Sequence, residues 1–263
     1  MRKEFSLVFI FCFSFLLIRA QIKIVTLDNF FNNEYRKNDK GEWQHFHYLW
    51  EDSAESGYSN WGKIFQKNGF ELKSLPVAPT IENLKGTAVY LIVDPDTENE
   101  TAHPNFILPE HVKAIASFVN KGGVLVIMAN DSLNVEFEHL NKLTEIFGIH
   151  LNGDSKSKVI GNNYDMGAFI IPKGDPIFTR AHKVYLKDVS SLTISKNAMP
   201  ILKHQTENYI VGAKAKYGKG TVVVIGDPWF YNEYLNGHLG NDKGWDNALA
   251  AEDFTIWLLN QSK

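Results

Sequence analysis

The chain has 263 residues, a formal net charge of −3, one cysteine and 13% aromatic residues. That length can bury one substantial core, and a mildly acidic balance without a basic run argues against a nucleic-acid partner. The lone Cys12 excludes a disulfide framework, a cysteine nucleophile in the body of the chain and a cysteine metal site.

The first residues read as an export signal. Arg2 and Lys3 give a positive start, 5–18 is an almost unbroken apolar run, and Ala20 offers a small residue before Gln21. The run is shorter than the roughly 20 apolar residues that span a bilayer. The expectation is a signal peptide over 1–20 and a single domain over 21–263, found in the periplasm or secreted, with no transmembrane segment after signal removal. Intact-mass measurement on exported protein should give a chain starting near Gln21; a mass retaining Met1 to Ala20 would contradict this.

Along the rest of the chain, apolar runs alternate with amphipathic ones. A strand is expected over 22–27. A helix over 58–68 follows, with Trp61, Ile64 and Phe65 on one face and Gly69 as its stop. A weaker strand over 70–75 and a strong one over 88–93 come next. The helix over 109–120 opens on Pro109, buries Ile115, Phe118 and Val119, and ends at Gly122 and Gly123. A strand over 124–129 leads to a helix over 134–147 carrying Phe137, Leu140, Leu143 and Phe147. The rhythm breaks over 152–215, which reads as a β-rich insertion with short strands around 168–171, 184–186, 189–195 and 209–215. A strand over 221–225 and a helix over 245–259, with Leu249, Phe254, Ile256 and Trp257, close the chain. The main strands are apolar throughout, as in strands covered on both faces. The alternation predicts an α/β, doubly wound, mostly parallel sheet.

Four of these strands run into an aspartate: Asp28 after the first, Asp94 and Asp96 after 88–93, Asp131 after 124–129 and Asp227 after 221–225. Ligands of open parallel sheets bind beyond the carboxyl ends of the strands. Aspartate is also favoured at turns and helix caps, and Asp131, just ahead of a helix, suits that role best. Carboxylates gathered from four strand ends on one rim would need a cation, a shared proton or a polar ligand to offset their repulsion.

The loops after the strands are rich in aromatic and polar side chains. The first carries Trp43, His45, His47, Tyr48 and Trp50; the later ones carry Glu138, His139, Trp229 and Asn232. Aromatic faces beside carboxylates suit a sugar, although such rings also pack as the lid of a core. His45 and His47 lack a third metal ligand at a fixed spacing, so no metal and no cofactor is expected. The expected ligand-binding set is Asp28, His47, Trp50, Asp94, Asp96, Asp131, Glu138, His139, Asp227, Trp229 and Asn232, around one cleft roofed by 45–52 and Trp229. No catalytic residue is assigned.

Two resemblances follow from particular segments. The region 22–129, especially Val119–Asn120–Lys121–Gly122–Gly123–Val124–Leu125–Val126, resembles the class I glutamine-amidotransferase-like, flavodoxin-related fold. Its nucleophilic cysteine has no counterpart at Asn130–Asp131–Ser132, so that chemistry does not carry over. The segments His47–Tyr48–Leu49–Trp50–Glu51–Asp52, Val93–Asp94–Pro95–Asp96–Thr97, Asn130–Asp131–Ser132, Glu136–Phe137–Glu138–His139 and Gly226–Asp227–Pro228–Trp229 resemble the DUF4350-type domain of Bacteroidetes. That domain is found alone or fused to unsaturated glucuronyl hydrolases of glycoside hydrolase family 105. This resemblance implies a part in breaking down uronic-acid-containing polysaccharide, ulvan or pectic rhamnogalacturonan, with an acidic oligosaccharide or polysaccharide and a glycoside hydrolase of the same pathway as partners. Three readings stand at this point: an accessory or carbohydrate-binding protein, a glycoside hydrolase using two strand-end carboxylates, and a structural domain on a degenerate enzyme fold.

Overall fold

The computed structural model describes residues 22–235, 239 and 244–262. The expected signal over 1–20 lies outside the described residues. In chain order, β1 (Lys23–Asp28) leads into a small hairpin of β2 (Tyr35–Lys37) and β3 (Trp43–His45). Then come α1 (Ser59–Lys67), β4 (Phe70–Leu75), β5 (Thr87–Val93), α2 (Pro109–Asn120), β6 (Val124–Met128) and α3 (Phe137–Thr144). β7 (Ile149–Leu151), β8 (Ala168–Ile170), β9 (Lys183–Tyr185), β10 (Leu192–Ile194) and β11 (Met199–Lys203) are short. β12 (Ile210–Tyr217), β13 (Gly220–Ile225), α4 (Asn232–Leu235) and α5 (Asn247–Gln261) complete the fold.

One nine-stranded sheet carries the architecture, in the order β4-β1-β5-β6-β13-β12-β10-β7, with β11 also pairing β12. The first five are parallel to one another; β12, β10, β7 and β11 extend the sheet in antiparallel fashion. The chain is therefore a mixed α/β protein with a mostly parallel central sheet. The β-rich region over 152–215 does not sit apart: its later strands join the central sheet, and only β8–β9 forms a hairpin of its own. The strands β7 and β11 and the hairpin β2–β3 escape sequence reading: β2, β3 and β7 are three residues each, and β11 carries Pro200 and is exposed at three of its five positions.

The period of two in each strand sorts side chains to opposite faces. Val25, Leu27, Val89, Leu91, Val93, Val126 and Val223 pack with Trp61 and Phe65 of α1 and with Phe254 and Leu258 of α5. Tyr90, Ile92, Leu125, Ile127, Val222 and Val224 pack with Ile115 and Val119 of α2 and with Leu140 and Leu143 of α3. Helices thus cover both faces, which is why the strands read as continuous apolar runs. Two helices differ from expectation. The one expected over 134–147 starts only at Phe137, where Glu136 caps it by accepting from the His139 N–H, and it tightens to a 3-10 turn after Thr144. In α5, Leu249 and Ile256 are exposed rather than inward.

Candidate functional site

β5 and β13 flank β6 in the sheet, and each is followed by an aspartate that the fold buries. Asp94 is 3% exposed and Asp227 1%. The Tyr48 hydroxyl donates to Asp94 Oδ2 at 2.6 Å, and the Asn130 N–H donates to its Oδ1 at 3.0 Å. The Asn32 amide donates to the Asp94 carbonyl at 2.9 Å. Asp227 Oδ2 accepts the Lys187 N–H at 2.9 Å. Burial raises Asp94 to about 7 against the lowering effect of its two donors. Burial raises Asp227 well above the usual carboxylate range, and the charge of Asp94 adds to the rise. Burial and Asp94 also raise Tyr48 well above an ordinary phenol, so Tyr48 stays protonated as a donor.

The backbone here is strained. Asp94 has φ of 35°, and the loop reaching over it holds His47 at 75° and Tyr48 at 51°. Left-handed conformations at non-glycine residues are costly and concentrate at functional sites. At Asp94 the turn breaks the pleat: strict alternation would put its side chain on the face of Tyr90 and Ile92, yet its carboxyl meets Tyr48 of the opposite cluster. Gly226, just before Asp227, is required by close approach; a Cβ there would collide with the Ser190 carbonyl oxygen.

A second group of acids lies beside the first. His47 Nδ1 sits 2.9 Å from Glu34 Oε1. Burial lowers the His47 pKa, but the hydrogen bond and charge of Glu34 outweigh it and leave it raised. Asp96 Oδ2 accepts the Asn33 N–H at 2.8 Å, while Oδ1 is buried without a donor among the described residues. Burial raises Asp96 to about 8, and the neighbouring Glu34, Glu100 and Asp94 add to it.

The remaining expected site residues go elsewhere. Asp28 lies on the α2–α3 face, where its carboxylate accepts the Phe30 and Phe31 N–H groups at 3.1 and 2.7 Å and the Tyr90 hydroxyl. Burial raises it to about 7. Asp131 closes a turn ahead of α3, accepting from Leu133 N–H at 3.2 Å and the Asn134 amide at 3.0 Å. Glu138 is exposed and pairs with Lys142 at 3.2 Å. His139 stacks on Phe106 and lies 3.1 Å from Glu136.

The expected roof of aromatic rings is a core. Trp229 is fully buried, stacked on Phe230 with centroids 4.2 Å apart. Trp50 is buried against Trp61 and Phe65, and its Nε1 donates to the Lys73 carbonyl at 3.2 Å. Asn232 is buried too. Its amide donates to the Asp52 and Ala54 carbonyls at 3.0 and 2.8 Å, and its oxygen accepts the Asn60 N–H at 2.9 Å. These three residues fasten the loop to the body and offer no face to a ligand.

The hairpin β2–β3 does present rings to solvent. Trp43 is 68% exposed and Tyr35 53%. The Lys37 ammonium lies 5.4 Å from the Trp43 ring centre, and the Arg36 guanidinium 4.8 Å from that of Phe46. Tyr35 stacks on His45 at 5.0 Å. The aromatic density around 43–50 was visible in sequence; which rings turn outward was not.

Fold and site define an α/β protein whose strand-end carboxyls hold neighbouring loops and whose solvent-facing rings sit on a hairpin after the first strand. No protein family's sequence pattern matches the chain, and no curated protein matches it. Among solved structures it is similar to the mmIFT52 N-terminal domain, with a TM-score of 0.65 at 17% identity over 89% of this chain and 96% of that one. It is also similar to the cytoplasmic protein STM1381 from Salmonella typhimurium LT2, with a TM-score of 0.59 at 14% identity over 92% and 100% of the two chains. The beta-galactosidase from Rahnella sp. R3 gives 0.50 at 12% identity, over 77% of this chain and 26% of the enzyme. At such identities the likeness is one of fold alone.

Proposed function

We propose that this is an exported accessory protein that binds carbohydrate during the breakdown of uronic-acid-containing polysaccharide, ulvan or pectic rhamnogalacturonan. It acts in the periplasm or outside the cell, alongside a glycoside hydrolase of the same pathway. The resemblance to DUF4350-type domains supports this reading, and the order of the parallel strands, β4-β1-β5-β6-β13, supports the flavodoxin-like and amidotransferase-like fold within it.

The observation that carries the reading is the β2–β3 hairpin. A solvent-facing indole takes the C–H face of a pyranose, and the adjacent Lys37 and Arg36 supply charge for a uronate carboxylate. The strand-end acids favour binding over hydrolysis. Asp28, Asp94, Asp96, Asp131 and Asp227 each accept a backbone N–H from a turn or neighbouring loop, whereas a glycosidase pair must face the scissile bond.

Calorimetric titration with ulvan and rhamnogalacturonan oligosaccharides tests the reading. Wild-type protein should bind at least one of them, and Trp43→Ala should weaken that binding by about tenfold, the equivalent of roughly 1.4 kcal/mol. Failure of the wild type to bind either glycan would overturn it.

A further inference from the structure

At the opposite end of β13 from the aspartate rim, a groove of about 560 Å³ opens between β12 and the last turns of α5. Its walls include Lys196, Lys214, Lys216, Met199, Trp257 and Gln261. The groove follows from the pleat. Ala213 and Ala215 turn into the α2–α3 core, so Lys214 and Lys216, at the intervening positions, share the face on which α5 packs.

Among the described residues, no carboxylate lines the groove. Among the described residues, the lysines that pair with acids are Lys67, Lys85, Lys142, Lys156 and Lys183, all of them elsewhere. The three groove ammonium groups meet only neutral partners among the described residues. Lys216 donates to Thr221 Oγ1 at 2.7 Å and Gln261 Oε1 at 3.2 Å. Lys196 donates to the Glu145 and Ile146 carbonyls at 2.8 and 3.1 Å. Lys214 lies 5.4 Å from the ring centre of the half-buried Trp257. In a chain of net charge −3, a concave surface with three cations and, among the described residues, no anion is set against the bulk composition.

We infer that this groove binds an anionic sugar residue, a pyranose carrying a carboxylate or a sulfate. The anion would lie among the Lys214 and Lys216 ammonium groups, whose charge-assisted hydrogen bonds are the stronger kind. The apolar edge of the ring would rest on Trp257 and Met199. Concave sites with an apolar wall and a few convergent polar groups are where small ligands are held. That the anion belongs to a sugar rests on the proposed function; that the groove takes an anion rests on its charges alone.

The test uses the full chain carrying Trp43→Ala, which weakens the hairpin's contribution. Trigalacturonate, a sulfated galactose trisaccharide and neutral galactotriose are titrated in turn. At least one acidic probe should bind about tenfold more tightly than the neutral one, and raising the salt should weaken it. Adding Lys214→Gln and Lys216→Gln should weaken that binding about tenfold further while leaving the circular dichroism spectrum and melting temperature unchanged. The trisaccharide that responds tells carboxylate from sulfate. Undiminished acidic binding after the lysine substitutions, or none before them, overturns the groove site. The hairpin reading is judged separately, by the loss of ulvan or rhamnogalacturonan affinity from the wild type to Trp43→Ala.

Discussion

The thermal midpoint should fall by roughly 6–12 °C between pH 5 and pH 8. Asp28 and Asp94 stand at about 7 in the folded protein, Asp96 at about 8, and Asp227 is raised well above the usual range, in every case mainly through burial. In the unfolded chain an aspartate titrates near 3.9. Between those limits the folded state holds more protons than the unfolded one, so stability decreases as pH rises. His47 acts in the same direction: its raised pKa means that its contribution is present below the unfolded value and lost as pH climbs through the folded one. A combined loss of about 3 kcal/mol is the expected scale. Melts followed by circular dichroism at constant ionic strength measure it. Asp227→Asn and Asp94→Asn should each flatten the profile and raise the midpoint at pH 8. A midpoint that climbs from pH 5 to pH 8 would mean that these carboxyls are ionised and compensated in the folded protein.

Trp229→Ala should cost about 3–5 kcal/mol, the range for removing a large aromatic side chain from a core. The indole is fully buried between Phe178 and Phe230, in the cluster that joins α5 to the sheet. Urea unfolding should therefore show a lower midpoint with little change in slope. Glycan affinity per folded molecule should be that of the wild type, because the ring faces no solvent. A ligand-stacking role would give the reverse, lost binding with an unchanged urea midpoint. Trp43→Ala is the natural counterpart: its ring is 68% exposed, and surface substitutions usually move stability by under about 0.5 kcal/mol.

The contrast between these two tryptophans shows where sequence reading stops. The segment holding Trp43, Tyr48 and Trp50 is too aromatic for an ordinary loop, and that much is evident from composition. An indole buried in a lid and an indole offered to a sugar leave the same trace in a sequence. What separates them is the packing partner, and those partners come from distant segments: Phe65 of α1 for Trp50, Phe178 and Phe230 for Trp229. Asn232 is a similar case. It reads as a polar loop residue, but its side chain holds the 52–60 segment through bonds to Asp52, Ala54, Ser59 and Asn60, and its N–H donates to the Gly57 carbonyl, all spanning more than half the chain.

By itself the sequence determined the parallel core. Runs such as Val124–Met128 are apolar at every position, a pattern that requires cover on both faces, and the intervening amphipathic helices supply that cover through right-handed crossovers. It also placed aspartates at the ends of those strands, since a turn follows each run. Only the tertiary structure decided which of them meet. Pleating sends Asp28 to the α2–α3 face and Asp227 to the α1–α5 face, and the left-handed turn at Asp94 carries its carboxyl across to Tyr48. A shift of one residue in pleat, or one φ of reversed sign, exchanges the faces without changing the hydrophobic pattern, so that choice is settled by packing against loops that the local sequence does not contain.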